Sequence, residues 1–274
     1  MQVSRSSYYA SLTKTPTKNS IRRHLLLNDI RRVYSASNGI YGSPRVTKEL
    51  NQEGIKTSTV TVAKLMKLYN IKSKVRKKYK TTTDSKHHYS VAENLLNQQF
   101  LVSEPATVWV SDITYIDTKQ GWLYLTTVID LYDRKVIGWA LSEGMKAVET
   151  SVAAFNMACT HRPIPHTSEL IVHSDRGVQY ACTEFVKALA KYPKLQQSMS
   201  RKGNCWDNAV AESFFKTLKT ELIYHHNYAT KEQAALSIFE YIETFYNTTR
   251  RHQHLNNLSL NEHSLLTKKQ KNVA

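Results

Sequence analysis

Cysteine is nearly absent. Cys159, Cys182 and Cys205 are the only three, isolated and odd in number with no CxxC pairing, so neither a disulfide framework nor a zinc site is supported and they read as structural thiols. No Cys pair follows His87 and His88, and the pairs His225/His226 and His252/His254 read as surface or polyanion-facing residues. There is no GxxxxGKS/T and no HExxH, which excludes a P-loop NTPase and a zincin. Long apolar runs are also missing. Nothing approaches the roughly 18 apolar residues needed to span a bilayer, and the first twenty residues are too polar for a signal peptide, so the chain is expected in the cytoplasm with no membrane partner. Acid is scarce beside base, with 22 Asp and Glu against 38 Lys and Arg, a net charge of +16 and a pI near 9.6. That imbalance favours a polyanion, and nucleic acid is the expected one. A chain of 274 residues with 41% hydrophobic content can still bury a core in each of one or two domains.

What is present is organised around Val108 to Leu141. Val108 to Ile116 is dominated by β-branched and aromatic residues, Asp117 to Gly121 supplies a turn, and Trp122 to Leu131 is a second run. Tyr132 to Lys135 then turns into Val136 to Leu141, completing a three-stranded meander. The first run is apolar on both faces, with Val108, Val110 and Ile116 on the side of Asp112 and Trp109, Ile113 and Tyr115 on the other. It should be central in its sheet. An Asp there needs a partner or a metal. A lone strand Asp more often just accepts hydrogen bonds from hydroxyls such as Ser111 or Thr114, but this one has company. A second apolar run from Leu170 ends at Asp175, where a strand gives way to a loop. Further on, Asn208 is placed to cap a helix whose Ala211, Phe214, Phe215, Leu218 and Leu222 make a buried face flanked by Glu212. Two Asp from strands and one Glu from a helix are hard oxygen ligands suited to Mg²⁺ or Mn²⁺. A pair of such ions could serve phosphoryl transfer by activating the attacking oxygen and steadying the leaving one. Lys216 and Lys219 follow on the same helix edge, where cations could meet phosphates, although each alone reads first as a solvated face.

The runs WVSDITYI, HSDRGVQY, SMSRKGNCWDNAVAESFFKTLKTEL and YNTTRRHQHLNNLSLNEH, in this order, resemble the orfB-type transposases of the insertion-sequence-3 family, whose catalytic core is similar to retroviral integrase. The resemblance spans nearly the whole chain. It implies a DDE-type polynucleotidyl transferase with Asp112, Asp175 and Glu212 as catalytic metal ligands for two Mg²⁺ ions, Mn²⁺ substituting. It places Lys216 and Lys219 where integrase-like cores touch a DNA end. The interval from Asp175 to Glu212 is one residue longer than the family pattern, with the extra residue around Lys191 to Leu195, where a loop absorbs it. The activity implied is nicking at an element's ends followed by attack of the exposed 3′-hydroxyl on DNA. The implied partners are DNA, as terminal inverted repeats and as target, and further copies of the chain. The place of action implied is the bacterial cytoplasm, in association with the nucleoid. Two rivals stay open at this point: a nuclease that hydrolyses without joining, and a DNA-binding repressor with a vestigial core.

The expected fold class is α/β, a ribonuclease-H-like (retroviral integrase) catalytic core with an N-terminal all-α helix-turn-helix domain. Residues 1–71 form the helix-turn-helix region, 72–104 a basic linker, 105–265 the core with its C-terminal helix, and 266–274 a basic tail. In the first region Ile21 to Tyr34, Pro44 to Leu50 and Thr59 to Tyr69 read as helices. Their inward residues are Leu26, Ile30 and Val33 in the first and Val62, Leu65, Met66 and Tyr69 in the third. Lys64 and Lys67 then lie on a face open to a DNA groove. VSRSSYYA resembles the tail of a further helix of this kind, and within the family implies an upstream-frame product or fusion. Arg76, Lys77 and Lys78 in the linker are candidate backbone contacts. A short helix is expected within Val91 to Phe100. In the core a helix from Lys146 to Cys159 should bury Val148, Val152, Phe155 and Cys159, Thr183 should cap the next, and Leu195 to Met199 should be a strand. Arg201 and Lys202, in the loop Ser200 to Asp207, are candidate DNA contacts. So are Arg250 and Arg251, which follow a helix over Lys231 to Tyr246. Asp130, Asp133 and Asp207 are weaker acidic candidates, Asp207 reading as a loop or capping residue.

Overall fold

The computed structural model describes residues 17–74, 89–165 and 169–271, and these fall into two compact units, 17–74 and the rest. In the first, α1 (Lys18–Ala36) starts where the Thr17 hydroxyl accepts a hydrogen bond from the Ser20 amide at 3.2 Å. It buries Leu27, Ile30 and Val33. The inward leucine is thus Leu27 and not Leu26, because in the run Leu25-Leu26-Leu27 the three-residue spacing through Ile30 and Val33 begins at the last. α2 (Ser43–Gln52) carries Pro44 in its first turn, where the missing amide costs nothing. α3 (Thr59–Leu68) is capped by Ser58, which accepts from the Thr61 amide at 3.2 Å, and buries Val62, Leu65 and Met66. Tyr69 lies just past this helix and is exposed, so it is not part of the core. Lys64 and Lys67 stand exposed on the outer face of α3.

The second unit is built on β1 (Val108–Thr118), β2 (Gly121–Asp130) and β3 (Val136–Ser142), the meander, joined by β4 (Ile171–Ser174) and β5 (Gln196–Met199). The strand order is β3-β2-β1-β4-β5, antiparallel within the meander and parallel from β1 through β4 to β5. β1 is therefore central, as its two apolar faces require. Below one face lie α4 (Ser151–His161), α5 (Val178–Ala181) and α6 (Thr183–Leu189), in a core of Trp109, Val128, Ile137, Phe155, Val172 and Phe185. On the other face lie α7 (Ala209–Glu221) and α8 (Lys231–Glu240), the latter passing into a wider π turn over Tyr241–Tyr246. Val110, Ile116, Leu125 and Ile129 meet Phe214, Leu218, Ile238 and Ile242 there. This mixed sheet with helices on both faces is the expected ribonuclease-H-like arrangement. Among the described residues no helix is long and apolar enough to cross a membrane.

One backbone approach fixes how closely α4 sits. A Cβ on Gly138 would stand 2.2 Å from the Ala154 carbonyl oxygen and 2.6 Å from the Ala158 nitrogen, so β3 carries glycine where the helix crosses it. Several expected details differ. α4 starts at Ser151, because residues around Lys146 turn instead, and Val148 is exposed rather than packed. Thr183 is the first residue of α6 and Cys182 its cap position. Residues 91–100 are not helical; their amides at Leu95 and Leu96 donate to the Ser198 hydroxyl on β5. The stretch expected as a tail begins inside a helix, α9 (Leu260–Lys271), held where Glu262 meets Arg251.

Candidate active site

The last pair in the parallel ladder between β1 and β4 is Ser111 opposite Ser174. Asp112 follows on β1 and Asp175 is the first residue past β4, so two parallel strands about 4.8 Å apart deliver both acids to the same end of the sheet, close enough to repel. Each is anchored locally: Asp112 Oδ1 accepts from the Ile113 amide and Asp175 Oδ1 from the Gly177 amide, both at 2.8 Å. Beneath them the Ser111 hydroxyl and the Tyr180 phenol are 2.8 Å apart in the core. Tyr180 was not singled out from the sequence, although it closes the same HSDRGVQY run that contains Asp175.

Glu212 arrives from the other face of the sheet. A 3₁₀ turn, Cys205–Asn208, leads into α7, and Asn208 does not cap that helix. Its Nδ2 instead donates to the Ser111 carbonyl at 3.0 Å, which pins the start of α7 to the strand position just before Asp112. Glu212 follows four residues later on the same side of the helix. Burial of Ala211, Phe214, Phe215 and Leu218 sets the rotation that leaves Glu212 half-buried at the edge. Further along that edge, Lys216 is exposed, and the Lys219 ammonium lies 5.7 Å from the centre of the Tyr115 ring.

The three acids act on one another. Burial, then repulsion from Asp175, then from Glu212, push the Asp112 carboxyl well above its ordinary range, against the Ile113 amide and Lys219, which pull it down. Burial and Asp175 likewise raise Glu212. Burial lowers Lys219, and the Asp112 charge works against that. The three carboxylates repel one another, and their donors are all oxygen. That chemistry fits a hard divalent ion such as Mg²⁺. Among the described residues no group of three or more His, Cys, Asp or Glu side chains is already set out to hold a metal ion. The carboxylates share a field, and ligation requires them to draw closer.

The remaining candidates separate. Asp207 is fully buried and accepts from the Arg201 amide at 2.8 Å, from Arg201 Nε at 3.0 Å and Nη2 at 2.8 Å, and from Asn94 Nδ2 and Gln98 Nε2, both at 2.9 Å. Asp207 is thus a structural tie between the loop and the segment leading into the core, and Arg201 is its ion-pair partner. Lys202 is exposed. Asp130 and Asp133 both receive Arg162, at 2.7 Å each, and are structural. Arg250 and Arg251 are corrections: both are buried, Arg250 forking onto Glu221 at 2.7 and 2.8 Å and Arg251 reaching Glu262 at 2.9 Å. Guanidiniums paired inside the protein brace the C-terminal elements and have no surface to offer a phosphate. Arg76, Lys77 and Lys78 lie outside the described residues.

Comparison with known proteins accords with this architecture. The integrase core domain family matches residues 102–205 and again 194–259, and the HTH-like domain family matches 21–79. The Insertion element IS600 uncharacterized 31 kDa protein of Shigella sonnei is 39% identical over 257 residues, 94% of this chain and 93% of its own. The transposase for insertion sequence element IS904 of Lactococcus lactis subsp. lactis (strain IL1403) is 42% identical over 246 residues, 88% of this chain and 94% of its own. Transposase InsF for insertion sequence IS3A of Escherichia coli (strain K12) is 38% identical over 262 residues, 94% of this chain and 89% of its own. The catalytic core domain of BIV integrase is 17% identical, with 61% of this chain and 98% of that one aligned at a loose TM-score of 0.43. With a helix-turn-helix unit, an integrase core and relatives near 40% identity along most of its length, the chain belongs to the IS3-family transposases, DDE-type polynucleotidyl transferases that act on DNA.

Proposed function

We propose that this transposase nicks the ends of its element and joins the exposed 3′-hydroxyls to DNA at a single site formed by Asp112, Asp175 and Glu212. The observation that carries this reading is the parallel pairing of Ser111 with Ser174, which delivers the two aspartates to the same end of the sheet, under the start of the helix bearing Glu212. These three carboxylates would hold two Mg²⁺ ions, with Mn²⁺ able to substitute. When bound, such ions lower the pKa of an attacking water or hydroxyl and offset charge on the phosphate and leaving oxygen. In the first step water attacks a phosphodiester and a 3′-hydroxyl leaves; in the second that hydroxyl attacks another phosphodiester, releasing a new 3′-hydroxyl.

The protein's own part is positional. Ile113 and Gly177 hold one oxygen of each aspartate, Asn208 holds α7 in place, and the buried Ser111 and Tyr180 hydroxyls meet each other in the core. Lys216, Lys219 and Lys202 are suited to DNA at the site, with Arg201 beside them where its guanidinium edge reaches solvent. Lys64 and Lys67 are suited to a groove, and Arg76, Lys77 and Lys78 to the DNA backbone, in a chain divided into 1–71, 72–104, 105–265 and 266–274. Handling two ends calls for more than one copy, with or without an upstream-frame fusion.

The test supplies DNA with candidate terminal repeats, target DNA and Mg²⁺, and compares wild type with Glu212→Gln. Joined product from wild type, its loss in the variant by more than the roughly 10- to 100-fold that an outer-shell partner is worth, and unchanged end binding are the expected results. Cleavage without joined product would make the protein a nuclease. An active Glu212→Gln would remove Glu212 from the site.

A further inference from the structure

The loop between β5 and α7 holds a large aromatic side chain where packing gives no reason for one. Trp206 is 71% exposed, whereas Trp109 is fully buried and Trp122, though 51% exposed, lies edge-on to Tyr115 at 5.6 Å. Among the described residues no aromatic ring meets the Trp206 indole. Its exposure does not come from a slack backbone. The Trp206 amide donates to Asn204 Oδ1 at 3.1 Å, the next residue is the fully buried Asp207 with its five hydrogen bonds, and the one after is Asn208, tied to the Ser111 carbonyl. A local turn and the ties of the two following residues hold the backbone of a residue whose ring is turned to solvent. Arg201 and Lys202 stand in the same loop, and Glu212 begins less than two helical turns further on.

A held aromatic face in the loop that carries Arg201 and Lys202 and leads into the helix bearing Glu212 suits a nucleobase more than it suits protein. Stacking is available to every base, since each has a π face, while the neighbouring lysine and arginine meet the backbone. Where the terminal base pair opens at the cleavage point, an aromatic platform offsets the cost of unstacking. We propose that Trp206 is a base-stacking residue that holds a nucleobase at the element's end after it has left the duplex stack. This rests on the assignment of the joining reaction to the acids beside it.

The experiment compares wild type, Trp206→Ala and Trp206→Phe in joining of fully paired ends and of ends whose terminal pairs are opened by mismatches. Trp206→Ala should lose roughly 10- to 100-fold on paired ends, the span expected for one base stack, recover most of this on opened ends, and be largely restored by Phe. A second readout needs no chemistry. Without divalent cations, end DNA should quench a tryptophan signal in wild type and in Glu212→Gln that is missing from Trp206→Phe. Equal activity of Trp206→Ala and wild type on paired ends, or a loss that opened ends and Phe do not repair, would overturn the proposal, the latter result assigning Trp206 to a protein contact. A Glu212→Gln protein that still joins would instead overturn the acidic site while leaving the quenching result to stand or fall by itself.

Discussion

Asp130 and Asp112 stand on adjacent strands of one sheet, Asp130 opposite Trp109 and Asp112 three positions further along β1, yet their surroundings are opposite in kind. Asp130 is fully buried and satisfied: Oδ2 accepts from the Ala106 amide at 2.8 Å and from Trp109 Nε1 at 3.0 Å, and Arg162 stands 2.7 Å away. Burial pushes the Arg162 guanidinium down, and Asp133 and Asp130 more than reverse this, holding it above its ordinary value. Asp112, on the other face, is raised by burial and by repulsion from Asp175 and Glu212, with the Ile113 amide and Lys219 acting against them. Acids that hold a fold together are given their counter-charge by the chain. Acids set to repel one another favour any cation that relieves the repulsion.

The contrast breaks first at Arg162. Arg162→Ala removes the ion-pair partner of the buried Asp130 and the partly buried Asp133 and should lower unfolding free energy by about 3–5 kcal/mol in denaturant titrations. A loss below about 1 kcal/mol would mean that the Asp130 cluster does not rely on its counter-ion. Next, Mg²⁺ at a hundredfold excess over its dissociation constant should stabilise wild type by about 2.7 kcal/mol in thermal melts. It should do little for Asp112→Asn, and equal shifts in both would place the ion elsewhere. The smallest effect is the most diagnostic. Because the folded Asp112 carboxyl is raised above its ordinary 3.8, the unfolded chain binds fewer protons as pH climbs from that value, so this group costs stability as pH rises through the window. Without divalent cations Asp112→Asn should therefore melt higher than wild type near pH 7, by about 2–4 °C for each kcal/mol relieved. The difference should vanish below pH 3.8. A lower melting point for the variant at neutral pH would show that Asp112 is structural after all.

Much of this could be seen along the chain. The strands around Asp112 follow from β-branched alternation, the helix bearing Glu212 from the spacing of Phe214, Phe215 and Leu218, and the central place of β1 from its two apolar faces. The cationic roles could not be sorted in the same way. Arg250 and Arg251 look as available as Lys216 in a basic stretch, and only the position of Glu221 and Glu262, distant in sequence from the one and close to the other, turns them inward. The segment around Leu96 carries helix-forming residues, yet its amides bond to Ser198 on β5, a partner that no local pattern names. Asn208 satisfies every rule for a helix cap and spends its amide on the Ser111 carbonyl.

By itself the sequence determined the element types, the two-unit order, the acids available for chemistry and the excess of positive charge, because hydrophobic period and residue chemistry are local properties. Tertiary structure alone decided which acids share a field and which are neutralised, because that depends on strand register and on which arginine folds back. A one-residue change in the pairing of Ser111 with Ser174 would send Asp112 or Asp175 to the opposite face of the sheet, and the same residues would then make no site.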